Sequence, residues 1–195
     1  PGNAGTKLIA ENISIQIDDF EKIKEISIEK KIELLIIGPE KPLVDGISDY
    51  FKDTNIKIFG PNKMSSKLEG SKTFTKKLCK KYNIPTSKFD IFQNKDSAKK
   101  FLTNSIFPLV IKADGLAAGK GVYICNNNSE ALSAVDEIFD GRFGKADCIL
   151  IEEFLRGEEM SYFIITDGKT FKPFQTAQDH KRVGEGDVGK NTGGM

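Results

Sequence analysis

Residues 111–124, IKADGLAAGKGVYI, set three glycines and two lysines between two apolar runs. Glycine leaves backbone N–H groups unobstructed and lysine adds positive charge, the ingredients of a phosphate-binding loop. Spacing excludes two common versions. A P-loop needs G-x-x-x-x-G-K-[ST] opening a helix. Here three residues separate Gly115 from Gly119, Gly121 follows Lys120 where a hydroxyl should stand, and VYIC reads as strand. The dinucleotide fingerprint G-x-G-x-x-G fails too, because GKGVYI lacks the third glycine and the helix. A strand–loop–strand flap remains, able to fold over a polyphosphate, with Lys112 at the end of the entering strand. A glycine-rich hairpin with no ligand fits the same residues.

Two other stretches carry usable groups. IEEFLRGEE, 151–159, has four glutamates around an apolar Leu155. A strand edge there offers backbone groups to an adenine edge, and a later glutamate can bind a ribose diol; a row of solvated surface carboxylates is the plainer account. QDHKRVGEGDVGKNTGGM, 178–195, places His180, Lys181 and Arg182 before a glycine-rich end bearing Asn and Thr. Basic side chains beside exposed N–H groups suit a phosphate monoester, and a solvated loop is again the alternative.

Bulk composition narrows the classes. The chain of 195 residues has room for one or two compact domains. Its 29 basic and 28 acidic residues leave a net charge of +1, which demands neither nucleic acid nor an anionic membrane. Cys79, Cys125 and Cys148 form no C-x-x-C pair and read as reduced, cytosolic thiols. With His180 as the single histidine, a zinc site is not expected. No apolar run approaches the roughly 20 residues of a membrane span.

The elements that must position these residues follow from periodicity. ISIQI, 13–17, alternates as a strand does, and Asp18 and Asp19 can cap a helix running to Lys31. ELLII, 33–37, stopped by Gly38 and Pro39, reads as a buried parallel strand. A helix over 43–53 and a strand IKIFG follow, an order that implies a parallel, right-handed α/β sheet. A long helix spans 62–82, with Lys76, Lys77, Lys80 and Lys81 as a mainly solvated face. IPTSKFDIF leads out of it. Next come helix 96–104, strand 107–113, the glycine loop, strand 121–125, helix 129–140 and strand 148–153. SYFIIT and TFKPFQ flank Asp-Gly, a strong hairpin signal.

Seven stretches together resemble the glycinamide ribonucleotide synthetase (phosphoribosylamine–glycine ligase) family of ATP-grasp ligases. They are PGNAGT at 1–6, GPEKPLVDG at 38–46, IFGPN at 58–62, LEGSKTFTK at 68–76, IKADGLAAGKGV at 111–122, IEEFLRGEE, and QDHKR followed by NTGGM. Any one is weak; seven in order, spanning nearly the whole chain, are specific. The resemblance implies an α/β fold: a Rossmann-like parallel N-terminal domain over 1–90, an α+β ATP-grasp lid over 91–155, and the start of the ATP-grasp core over 156–195. It implies ATP-dependent ligation of glycine to 5-phosphoribosylamine through a glycyl phosphate, in purine biosynthesis and in the cytoplasm.

Residue by residue, it implies that Lys72 and Lys112 contact ATP phosphates and that Gly115, Gly119 and Gly121 shape the flap. Glu152 and the Leu155 backbone would meet adenine, and Glu159 the ribose. Gly38, Pro39 and Glu40 would hold phosphoribosylamine. Asp179, Lys181, Arg182, Asn191, Thr192 and Gly193 would hold substrate phosphate or carboxylate. No general base is assigned; His180 fits the motif without that role. The family's magnesium or manganese ligands lie in a segment beyond NTGGM, and a strand precedes its PGNAGT. The chain thus resembles a fragment, expected to be inactive alone, whose parent is a monomer or weak dimer acting on small molecules, with no nucleic acid or membrane partner. Another ATP-grasp carboxylate–amine ligase, or a non-catalytic nucleotide-binding fragment, is the alternative.

Overall fold

The structure, a computed structural model, describes residues 2–116, 121–144, 146–178, 182–186 and 188–191, without the side chains of 182 and 188–191. Packing divides the chain into two units, Pro1–Phe154 and Leu155–Met195.

The first unit opens with an α/β layer. Helix α1, Phe20–Glu29, begins where the sequence places it: the Asp19 carboxylate accepts from Lys22 N–H at 3.0 Å and satisfies one orphan donor of the first turn. Strand β1, Leu34–Ile36, pairs in parallel with β2, Lys57–Phe59, setting Leu35 opposite Ile58. Between them lie α2, Glu40–Asp45, and α3, Ile47–Tyr50. The single helix expected over 43–53 is broken by Gly46, whose φ of 104° suits only glycine.

ISIQI forms no strand. Alternation fixes which side chains face inward, but a strand also needs a neighbour for its N–H and C=O groups, and 13–17 pairs with none among the described residues. Ile13, Ile15 and Ile17 still line an apolar cavity of about 230 Å³ together with Leu35, Ile37 and Pro42.

The expected helix over 62–82 is two helices, α4, Lys63–Gly70, and α5, Lys72–Tyr82. Ser71 between them is extended, at φ −145° and ψ 108°. Each helix carries its own cap: Asn62 Oδ1 accepts from Ser65 N–H at 2.8 Å, and Ser71 Oγ from Phe74 N–H at 3.1 Å. A Cβ on Gly70 would fall 2.9 Å from Val44 Cγ2, so the α4–α2 contact requires glycine there.

The rest of the first unit is a four-stranded antiparallel sheet backed by two helices. The chain runs β3, Phe89–Phe92; α6, Lys95–Leu102; β4, Leu109–Ala113; β5, Val122–Cys125; α7, Asn128–Phe139; β6, Ile149–Glu153. In space the order is β3-β6-β4-β5. Strand β3 comes from the stretch that reads as a mere connector. Ile111, Ala113, Ile149 and Ile151 enter a core with Ala134 and Ile138 of α7. Side chains alternate across a sheet, so Lys112 and Glu152 stand on the face away from that core.

In the second unit, β7, Ile164–Thr166, and β8, Phe171–Pro173, form the expected hairpin. The Asp167 carboxylate accepts from Lys169 and Thr170 N–H at 2.9 and 2.8 Å, and Gly168 takes a φ of 86°. Strand β9, Arg182–Gly184, pairs antiparallel with β10, Val188–Asn191. Among the described residues no helix is long and apolar enough to cross a membrane.

Candidate functional site

The root of the glycine loop is pinned to the start of α5. Asp114, the residue after β4, accepts from Ser71 Oγ at 3.1 Å and from Thr73 N–H at 3.0 Å. Its carboxylate therefore sits on the positive end of α5 and holds two donors of that end. Ser71 in turn accepts from Phe74 N–H, so one hydroxyl links helix cap and loop. One residue on, the Gly115 carbonyl accepts from Lys72 Nζ at 2.7 Å. Gly115 has a φ of 89°, and a Cβ there would meet nothing within 4 Å. Burial lowers the pKa of Lys72, while Asp114 and Glu69 pull it back up and Lys112 adds to the depression.

The second cluster centres on Glu152, which is 4% exposed. Its Oε2 accepts from Ser87 Oγ at 2.8 Å and from Lys112 Nζ at 3.0 Å, and lies 3.3 Å from Lys76 Nζ. Burial opposes the Glu152 charge, but the two lysines and the Ser87 hydroxyl outweigh it and hold the carboxyl below its ordinary range. The other oxygen, Oε1, is buried with no hydrogen-bond partner among the described residues.

Lys76 does not lie on a solvated face. Its side chain is 12% exposed, and its ammonium also donates to Thr86 Oγ1 at 2.7 Å and Ser87 Oγ at 2.6 Å, 5.5 Å from the Phe89 ring centroid. The periodicity of α5 placed Lys77, Lys80 and Lys81 correctly as exposed. It could not reveal that β3 and β6 close over the Lys76 turn.

Of the residues singled out in the sequence, the structure thus gathers Lys72, Lys112, Gly115 and Glu152. Gly121 stands at the other end of the loop, its carbonyl accepting from Ala113 N–H at 2.8 Å. Gly119 lies outside the described residues, as do Asp179, His180, Lys181, Thr192 and Gly193. Arg182 and Asn191 face one another in the β9–β10 register. Gly38, Pro39 and Glu40 follow β1: Pro39 precedes α2, Glu40 opens it, and Gly38 has open space where a Cβ would be. Leu155, 65% exposed, and Glu159 belong to the second unit.

Four residues of the site were not anticipated: Ser71, Lys76, Ser87 and Asp114. Ser71 after Gly70 is a legible helix-start signal. Asp114, beside Gly115 in ADG, is a turn residue whose longer-range role needs the fold.

Two oriented ammonium groups at the mouth of a glycine loop can neutralise a polyphosphate, and an ionised carboxylate with a spare oxygen can accept from an amine. Among the described residues no group of three or more His, Cys, Asp or Glu side chains converges, so these residues do not fit a divalent-cation site.

Comparison with known proteins bears on this arrangement. Residues 1–69 match the family model of the phosphoribosylglycinamide synthetase N domain, and residues 70–195 that of the phosphoribosylglycinamide synthetase ATP-grasp (A) domain. The chain is 52% identical to a phosphoribosylamine–glycine ligase of Mesorhizobium japonicum, over 100% of this chain and 46% of that protein. A crystal structure of phosphoribosylamine–glycine ligase from Thermotoga maritima superposes with a TM-score of 0.80 at 33% identity, covering 100% of this chain and 47% of that one. N5-carboxyaminoimidazole ribonucleotide synthetase from Thermotoga maritima, 20% identical with a TM-score of 0.60 over 88% of this chain and 42% of that one, shares the fold. The chain spans about half the length of the curated relatives it matches, 46% in the first case.

Proposed function

This chain belongs to the phosphoribosylglycinamide synthetase family, with an ATP-grasp fold, and on that premise we propose that the protein carrying it ligates glycine to 5-phosphoribosylamine. The glycine carboxylate attacks the γ-phosphorus of ATP, giving glycyl phosphate and ADP. The amine of phosphoribosylamine then attacks the acyl carbon and expels phosphate, leaving the C–N bond of glycinamide ribonucleotide. The single observation that carries the reading is the pinned loop root, where Lys72 and Lys112 flank Asp114 and Gly115 within a chain matched end to end by the family.

Lys72 and Lys112 bind the phosphates, and Gly115, Gly119 and Gly121 shape the flap. Glu152 and the Leu155 backbone take the adenine, and Glu159 the ribose. Gly38, Pro39 and Glu40 take phosphoribosylamine at the carboxyl end of a parallel strand, where α/β sheets commonly seat ligands. Asp179, Lys181, Arg182, Asn191, Thr192 and Gly193 hold the substrate phosphate or carboxylate. These residues align groups and offset charge, which is most of what phosphoryl and acyl transfer require. In this reading residues 1–90, 91–155 and 156–195 serve as substrate layer, lid and start of the core, and the protein works in the cytoplasm on small molecules.

The test is ADP release by the protein at its natural full length, with glycine and phosphoribosylamine omitted in turn. Dependence on both supports the reading. ADP release with another acid or amine, and none with this pair, refutes it.

A further inference from the structure

We propose that Lys76 and Ser87 are positioning residues that occupy one oxygen of Glu152 and so dedicate the other to the amino group of an adenine ring, making Glu152 the group that selects a 6-amino purine over a 6-oxo purine. The inference rests on the nucleotide reading above and deepens it.

The geometry around the carboxylate is one-sided. Oε2 has Ser87, Lys112 and Lys76 at 2.8, 3.0 and 3.3 Å, whereas Oε1 is buried and unpartnered among the described residues. An ionised oxygen kept from water without a donor is costly, and a ligand N–H restores what is missing.

The proton directions follow from the donors. An ammonium can only donate, so in the 2.6 Å contact Lys76 gives its proton to Ser87 Oγ. The single Ser87 proton is thereby turned toward Glu152 Oε2. Neither Lys76 nor Ser87 can reverse this order without losing a contact.

The two lysines differ in freedom. Lys76, 12% exposed, is fixed by Thr86, Ser87, Glu152 and the Phe89 ring. Lys112, 28% exposed, is the more accessible of the pair. Lys76 therefore stays as counter-charge to Glu152 when Lys112 turns to a phosphate, and the carboxylate remains ionised and correctly turned. Adenine offers N–H donors at C6. Hypoxanthine and guanine offer a carbonyl there, which would face the Glu152 oxygen lone pair to lone pair. A polar group built to receive a donor rejects the analogue that lacks it.

The experiment is calorimetric binding of ATP and ITP to the full-length protein and to Lys76→Met, Ser87→Ala and Ser87→Thr. Each is studied where it keeps native near-ultraviolet circular dichroism. Wild type is expected to prefer ATP. Lys76→Met and Ser87→Ala should cut that preference about tenfold, the worth of one charge-assisted hydrogen bond, mainly by weakening ATP. Ser87→Thr, which keeps the hydroxyl, should retain it. Equal losses for both nucleotides in Lys76→Met and Ser87→Ala would mean a purely structural role and overturn the proposal. Wild type binding ATP and ITP alike would also overturn the proposal, since no preference would then exist for Lys76 and Ser87 to support. Wild type binding neither would remove the nucleotide reading, and this inference with it.

Discussion

Replacing Lys76 by methionine keeps most of the side-chain stem and removes the ammonium. Glu152 then loses a counter-charge at 3.3 Å, and Thr86 and Ser87 lose donors at 2.7 and 2.6 Å. Removing one partner of a buried ion pair costs about 3–5 kcal/mol when the other is left alone. Here Lys112 and Ser87 still hold Oε2, so the loss falls below that range, at about 2–3 kcal/mol. Lys80→Met, on the exposed face of the same helix, should change stability by less than about 0.5 kcal/mol. Urea unfolding followed by far-ultraviolet circular dichroism measures both, with unchanged slopes marking a true stability change. A cycle with Glu152→Gln should show a coupling of about 1–2 kcal/mol between the two positions. A Lys76→Met cost no larger than that of Lys80→Met, or a cycle without coupling, would refute the assignment of Lys76 as counter-ion.

Because the Glu152 carboxyl is held below its unfolded value, its contribution is present above the ordinary carboxylate range and is lost as the pH falls through the depressed folded pKa. Acid titration of stability should show that fall in wild type and a shallower one in Glu152→Gln. Lys112→Ala should weaken ATP binding by about 1.5–3 kcal/mol, read by calorimetry, through loss of a charge-assisted phosphate contact. Gly115→Ala meets open space but a φ of 89°, so its cost is backbone strain alone, about 1–3 kcal/mol by urea unfolding.

What the sequence made legible was local. The Asp19 cap, the parallel strand before Gly38 (though Leu34 and Ile36 are exposed rather than buried as expected), the Asp-Gly hairpin and the lysines beside the glycine loop each depend on neighbours within a few residues. The misses share a different cause. Helix 62–82 has continuous apolar periodicity, yet Ser71 is held extended by Asp114, a residue 43 positions away. ISIQI has the right alternation without a neighbouring strand. Strand β3 was hidden because FDIF takes its identity from pairing with β6. Lys76 read as solvated because its partner Glu152 lies on a strand made much later in the chain. In the site, the residues that touch ligands in the proposed reading carried motif signals. Of those that orient them, Ser71 carried a local helix-start signal, whereas the partners of Lys76, Ser87 and Asp114 lie far away in sequence.

The strand order β3-β6-β4-β5 has a consequence for how the protein is made. Strand β6 is the last of the four to leave the ribosome, yet it is the one that joins β3 to β4. A nascent chain ending before Ile149 holds only the β4–β5 hairpin, and β3 has no strand beside it. Two strands alone are marginal in water. The four-stranded sheet can therefore be completed only once β6 is present, and Glu152 and its ion cluster arrive with that strand. Until then the faces of α6 and α7 that later enter the core stand open to other chains, and this is the interval in which synthesis is exposed to aggregation.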